Sequence, residues 1–391
     1  MRERATIRAI ETFVVSLPRD TPYLGPLGPG EAVNAKGYFV RRGNRTIYPA
    51  TDMSVIVKVT TEDGTVGWGE TYGIVAPHAV TTIIDDVLAP IAVGRDARDV
   101  AVIQEDLYDL MRVRGFHGGY YVDAIAGVDI ALWDVCAKLA GLPLVKLLGG
   151  QRAERLPAYV SGLPRATLAE RVALAREWVA KGFDAVKYAA AVSHEGIVAE
   201  MRALREALGP DVKVMVDLHW KFSAAEAIQL IDALAPHRPY FVEAPCAPED
   251  VDGLAEVAAK SRVPIAAGEE WRTVHEVLPR LSRRAVSILQ PEMGHTGVTQ
   301  FLAIGRLAAA FAARVMPHAS IGVGIFQAAS LHAAATLPNV PYHEYQHSIF
   351  DKNLAYVTTT MRCDAGFYHL PSGPGLGVEP KPELWDHVVK R

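Results

Sequence analysis

The sequence predicts an α/β protein built on a closed parallel barrel, with a β-then-α unit ahead of it. Three observations carry that prediction. From Leu156 onward, short apolar runs alternate with amphipathic helical stretches, the pattern of strands joined by crossover helices. The runs recur about every 26 residues, roughly the length of one strand–helix unit, and there are enough of them, eight, to close a barrel. The rival, an open doubly wound sheet, more often shows a glycine-rich phosphate turn after its first strand, and none is present. The 391 residues are 50% hydrophobic and 21% charged, enough apolar matter for a large core, which excludes global disorder.

The elements follow in order. Thr6–Val15 and Ser54–Thr60 read as strands, and Glu62-Asp63-Gly64 before Val66-Gly67-Trp68-Gly69-Glu70 is a hairpin signal. Between them, Pro18–Ala50 is rich in Gly and Pro, carries Arg41, Arg42 and Arg45, and reads as a long structureless loop of the functional kind. Helical patterns run from about Ala76 to Leu148, where Gly149-Gly150 can end a helix. The barrel strands are expected at Leu156–Ser161, Ala185–Ala190, Lys213–His219, Tyr240–Pro245, Pro264–Glu269, Ser287–Glu292, Arg314–Ser320 and Tyr342–Gln346. Helices such as Leu168–Lys181, Glu195–Leu208 and Ala224–Leu234 lie between them. The stretch Gly373–Arg391, with a short final helix, is expected to pack back on the N-terminal unit.

Composition narrows the function. Forty Lys+Arg against 44 Asp+Glu give a net charge of −4, which disfavours a nucleic-acid partner. No apolar run reaches the 18 or so residues of a membrane span, and MRERATIRAIETFVV lacks the apolar core of a secretory leader. Cys136, Cys246 and Cys363 are too scattered for a disulfide framework or a zinc site, so a reduced, cytoplasmic setting is expected.

The chemistry shows at the strand ends. Asp217, Glu243, Glu269, Glu292, His318 and Glu344 are separated by 26, 26, 23, 26 and 26 residues, which places them at one height on successive strands. Active sites of such barrels lie at that face. Three adjacent carboxylates, Asp217, Glu243 and Glu269, suit a hard divalent cation, Mg²⁺ best.

The segments VMVDLHW, YFVEAP, IAAGEEW, QPEMGHTGVTQ and VMPHASIGVG, together with Gly127–Asp134 (GVDIALWD), GLPLVKLLGG and Pro374–Val378, resemble the enolase superfamily, mandelate racemase subgroup. The resemblance covers nearly the whole chain. It implies a modified (β/α)7β TIM-like barrel, residues 136–370, with an α+β capping domain, residues 1–135, completed by residues 371–391. It implies that Asp217, Glu243 and Glu269 bind an essential Mg²⁺, and that the reaction removes a proton α to a carboxylate to give a metal-stabilised enediolate. Small-molecule acids are the implied partners, and homo-oligomers are common in the family.

Within that resemblance the base pattern is distinctive. Racemases of the subgroup carry Lys-x-Lys on the second strand; here it is Lys187-Tyr188-Ala189, so the second base is replaced by Ala189. His318 resembles the family's barrel histidine, with Glu292 where Asp is usual. His219, two residues after Asp217, is similar to the acid of the galactonate dehydratase type, and Glu344 to the residue that hydrogen-bonds the substrate carboxylate and is therefore expected to be protonated or to share a proton. One base on one face argues against two-base racemisation. The expectation is a Mg²⁺-dependent sugar-acid dehydratase forming a 2-keto-3-deoxy acid. The alternatives are a sugar-lactone cycloisomerase, an epimerase or racemase, and a non-catalytic sugar-acid binder. Selectivity is expected from Pro18–Ala50, with Arg41, Arg42 or Arg45 meeting a distal carboxylate, and from Arg114–Tyr121. His117, Tyr120, Tyr121, Trp220, Trp271 and His295 are further pocket candidates.

Overall fold

Alternating apolar residues make the first sheet. In the computed structural model, which describes residues 5–319 and 322–389, the chain opens with β1 (Ile7–Leu17), β2 (Tyr38–Val40), β3 (Ile47–Pro49), β4 (Asp52–Thr61) and β5 (Val66–Tyr72). Residues 1–4, Ser320 and Ile321 of VMPHASIGVG, and residues 390–391 lie outside the described residues. Strands β1, β4 and β5 form an antiparallel sheet, and the Thr61–Thr65 turn joins the last two. Helices Val100–Arg112 and Gly119–Ala140 share a second apolar core with Val14, Val55, Val57 and Val59 of this sheet. The contact is close because it is made of glycines. A Cβ on Gly69 would lie 2.0 Å from the Gly127 carbonyl oxygen.

The GVDIALWD motif is explained by joints. Asp129 accepts the Thr299 amide at 3.0 Å, tying the cap helix to a barrel helix. Asp134 accepts the amides of Trp68 at 2.8 Å and Leu376 at 2.7 Å, holding the C-terminal segment. That segment continues to the cap sheet, where the Val389 amide donates to the Val14 carbonyl and Trp385 packs on Phe13 and Trp68. Helix Gly119–Ala140 runs through residues 135 and 136 without a break.

The barrel strands are β6 (Arg155–Ser161), β7 (Ala185–Ala189), β8 (Lys213–Asp217), β9 (Val242–Glu243), β10 (Ile265–Ala267), β11 (Ile288–Leu289), β12 (Arg314–Val315) and β13 (His343–Tyr345). Each pairs in parallel with the next from β6 to β12, and β13 pairs in parallel with β6. The Glu344 amide, bonded to the Pro317 carbonyl at 3.2 Å, closes the ring. Helices Leu168–Ala180, Ile197–Leu208, Ala224–Leu234, Val251–Lys260, Val274–Ser282, Met293–Ala310 and Ile325–Ala334 fill the gaps between strands, and none of similar length follows β13 among the described residues. This is the (β/α)7β arrangement with an α+β cap.

Inside the barrel, Tyr159, Ala185, Met215, Phe241, Ala266, Ile288, Met316 and Tyr342 form an apolar floor. Strand side chains alternate, so the residues two positions further also face inward. Those are Ser161, Lys187, Asp217, Glu243, Gly268, Gln290, His318 and Glu344. One alternation rule therefore places a polar layer directly above the apolar one.

Pro18–Ala50 is not structureless. It contains the β2–β3 hairpin, and Tyr23, Phe39 and Tyr48 form an apolar cluster with Ile349 of the barrel. Local bonds among these residues hold the segment over the barrel mouth, which glycine and proline content alone does not reveal.

Candidate active site

A cavity of 170 Å³ opens between the cap segment and the C-terminal ends of the strands. Lys187, Ala189, Asp217, His219, Glu269, His318 and Glu344 line it from the barrel side. Asp217 and Glu243 are register partners on β8 and β9. Glu243 also pairs with Ala266, so Glu269 stands three residues beyond that level, after a Gly268 at φ +123° where a Cβ would meet the Trp271 ring at 2.7 Å. The equal spacing in sequence thus does not translate into equal height for Glu269.

Lys187 is buried, 2.7 Å from Glu243 Oε2 and 3.0 Å from Glu344 Oε1. Burial lowers its pKa, but Glu243 and Glu344 outweigh that and hold it well above the ordinary lysine value. It is a fixed positive charge at the cavity wall. Glu344 was expected to be protonated or to share a proton when it meets the substrate carboxylate. Burial raises its pKa, yet Lys187 and His318 bring it below the usual range, and the Ala319 amide donates to it at 3.1 Å.

His318 bonds through Nδ1 to Glu292 Oε2 at 2.8 Å, while Nε2 meets Glu269 Oε2 at 2.8 Å. The longer Glu292 arm therefore still reaches the imidazole. Burial lowers His318, but Glu269 and Glu344, with the hydrogen bonds the ring donates to Glu269 and Glu292, hold its pKa well above the ordinary imidazole value. Opposing burial, the same histidine holds the Glu269 carboxyl down at about 2.

His219 lies past the end of β8, not on it. Its backbone and that of Trp220 are left-handed, both at φ 51°. This turn brings His219 Nε2 to 3.0 Å from Asp217 Oδ2 and its amide to 2.8 Å from Oδ1. Burial lowers its pKa, with Glu269 and Glu243 opposing, so the imidazole is neutral at rest.

The donor set fits a hard divalent cation. Burial drives Asp217 and Glu243 up to about 7 against the pull of Lys187, the mark of carboxylates short of countercharge. Glu243 Oε1 is buried with no hydrogen-bond partner. As the side chains stand, no three His, Cys, Asp or Glu among the described residues converge as a metal cage would, because Glu269 is turned to His318. Asp217, Glu243 and Glu269 could hold the ion once Glu269 leaves the imidazole.

Several expected pocket residues are elsewhere. Arg41 is buried in its own loop, its guanidinium donating to the carbonyls of Tyr23, Gly25 and Pro26 and paired with Glu31. Arg42 and Arg45 are exposed and do not line the cavity. Tyr121 is in the cap core, and His117 and Tyr120 are exposed. His295 is engaged with Asp123 at 2.6 Å, and buried Trp271 lies under Arg280. Trp220 does line the cavity. The structure adds Arg19, Tyr23, Tyr48 and Tyr72 to the wall, all from the cap. Gln290, in the inward layer, is fully buried with both amide atoms unpartnered, and the step of two from Ile288 could have found it.

Comparison with known proteins agrees with this geometry. Residues 170–384 match the "Enolase C-terminal domain-like" family and residues 46–149 the "Mandelate racemase / muconate lactonizing enzyme, N-terminal domain" family. The chain is 31% identical to a D-galactarolactone cycloisomerase of Agrobacterium fabrum, over 95% of this chain and 96% of the relative. It is 32% identical to a D-galactonate dehydratase of Ralstonia nicotianae, over 85% and 90%. A Sinorhizobium meliloti crystal structure, provisionally called an isomerase, superposes with a TM-score of 0.97 at 56% identity, covering 99% of this chain and 100% of that one. A racemase from Streptomyces coelicolor A3(2) with bound magnesium superposes with a TM-score of 0.84 at 27% identity, covering 98% and 100%. Among the described residues no helix is long and apolar enough to cross a membrane.

Proposed function

The chain belongs to the enolase superfamily, in its mandelate racemase subgroup, and from that premise we propose that it is a Mg²⁺-dependent dehydratase of an open-chain sugar acid. The observation that carries the reading is the asymmetry of the cavity. A carboxylate-backed imidazole, His318 on Glu292, stands on one wall, while the strand position open to a second base is Ala189. Removal of the C2 proton is then served from one face only.

Asp217, Glu243 and Glu269 would hold the cation. When bound, it supplies Lewis-acid stabilisation of the negative charge that develops on the substrate carboxylate. Lys187, kept protonated by Glu243 and Glu344, adds a preorganised charge for the same purpose. His318 accepts the C2 proton at Nε2, while Nδ1–H remains on Glu292, which orients the ring. Nε2 is free for this only when Glu269 is withdrawn from it, as it would be on serving as a ligand; that also removes the carboxylate that does most to hold the imidazole protonated, so the ring can shed that proton first.

The second half of the reaction expels the 3-hydroxyl. Hydroxide leaves poorly unless it is protonated, and His219 at the cavity wall is the second imidazole available to assist, once it has taken up a proton from solvent to pass to the departing oxygen. A lactone ring oxygen, by contrast, departs as part of a carboxylate and needs no acid. The second imidazole therefore favours a dehydratase over a cycloisomerase. The cycloisomerase reading draws support from the Agrobacterium fabrum relative, whose match extends over more of the chain than the dehydratase match. Incubating aldonates, aldarates and their lactones with the protein, with and without Mg²⁺, tests the proposal. Appearance of a 2-keto-3-deoxy acid from an open-chain acid, only with the metal, is expected. Turnover confined to lactones would overturn it.

A further inference from the structure

The cavity has a second cationic feature that the chemistry above does not use. Arg19 is the one arginine among the described residues that line it. The side chain is 6% exposed, and its guanidinium is fixed on two sides. Nη1 pairs with Asp52, and Nε donates to the Thr21 carbonyl at 3.1 Å. Its plane is further fixed by the Tyr23 ring, 3.8 Å from Cζ. Among the described residues no hydrogen bond or ion pair engages Nη2. Tyr23 is also a cavity residue, 8% exposed, and its hydroxyl is buried without a hydrogen-bond partner. Burial, with Arg19 opposing it, keeps that phenol well above its ordinary pKa, so it is a donor.

A buried donor left without an acceptor costs roughly 1–3 kcal/mol, so the Tyr23 hydroxyl, beside a guanidinium that also lines the cavity, points to an acceptor supplied by the ligand. A guanidinium edge is planar and already charged, which matches a carboxylate better than a hydroxyl. Phosphate would ask for more donors than this pair offers. We propose that Arg19 and the Tyr23 hydroxyl receive the second carboxylate of a sugar diacid, making the substrate an aldarate. The proposal rests on the sugar-acid reading of the same cavity. It places the distal-carboxylate contact on the first turn of the cap segment, where the arginine cluster 41–45 does not reach.

Matched acids test it, because galactarate and galactonate, or glucarate and gluconate, differ only in whether C6 is a carboxylate. With the Mg²⁺-loaded protein, kcat/KM for the diacid should exceed that for its monoacid by roughly 10- to 100-fold, the range of a charge-assisted bond. Arg19→Met should remove most of that preference, lowering kcat/KM for the diacid at least roughly tenfold more than for the monoacid. Tyr23→Phe, which keeps the ring under Arg19, should lower only the diacid value, by several-fold, and guards against misfolding of the arginine variant. Calorimetric binding of glucarate and gluconate provides an arm that does not depend on turnover, and the same preference, lost in Arg19→Met, is expected. Equal or better use of monoacids, a preference for 6-phosphogluconate, or equal losses for both acids in the two variants would overturn the inference. Binding selectivity for diacids without any dehydration would uphold it and reject the dehydratase proposal instead.

Discussion

His318 and His219 divide the proposed work, and their substitutions separate it. His318→Asn keeps a smaller polar group that can donate to Glu292 but has no basic nitrogen, so both C2 deuterium exchange and product formation should vanish. Exchange that survives in D₂O would move the base role elsewhere. His219→Gln should slow dehydration by roughly 10²–10⁴-fold while exchange persists, since proton removal does not need it. A metal titration of that variant is the control, because His219 also bonds Asp217. Dehydration at the unaltered rate would make His219 only a partner of Asp217. These residues were legible in the sequence because each ends an apolar run. What could not be read was ionisation. The sequence does not disclose that Lys187 Nζ lies 3.0 Å from Glu344. Arg19 was missed for a related reason. It lies in a loop whose path over the barrel is set by Tyr23, Phe39, Tyr48 and Ile349, residues far apart in the chain.

The last helix–strand unit of the barrel is where acid should act on stability. His332 on helix Ile325–Ala334, His343 on β13 and His347 just beyond are each pushed down to about 4 by burial. Their folded pKa values lie below the ordinary value of 6.5, so below that pH the unfolded chain binds more protons. Stability is fully present above about pH 6.5 and is lost as pH falls toward 4. Each residue accounts for up to about 3 kcal/mol. Urea unfolding across that window should show a steep loss, and His332→Gln should flatten it. A pH-independent midpoint would contradict the burial argument. At this scale the strands and helices were legible from periodicity, with ends shifted by a few residues. The β2–β3 hairpin was not, because its three-residue strands are too short to show alternation.

Cap and barrel meet through buried carboxylates, and the whole molecule depends on those joints. Glu70 of β5 takes the amides of Val323, Ile325 and Phe326 at 2.6, 3.0 and 3.1 Å, at the start of the last barrel helix. Removing it leaves those donors buried and unpaired, so Glu70→Ala should cost roughly 3 kcal/mol or more. A loss under about 0.5 kcal/mol in urea unfolding would show that the joint is replaceable. The two-part architecture was legible because the β-then-α opening and the later strand–helix alternation differ in period. That Pro18–Ala50 would border the site was legible too; which of its side chains reach the cavity was not, since the walls come from segments as distant as Arg19 and Ile349.

The central claim is that an open-chain sugar acid loses its C2 proton to one base and then its 3-hydroxyl. Proton NMR of an open-chain aldarate and, separately, its 1,4-lactone, each with the protein and Mg²⁺ in D₂O, tests it most directly. The account predicts consumption of the open-chain acid to a 2-keto-3-deoxy product carrying one deuterium at C3, with the lactone spared and EDTA stopping the reaction. Consumption of the lactone alone, or inversion at C2 with no ketone formed, would contradict it.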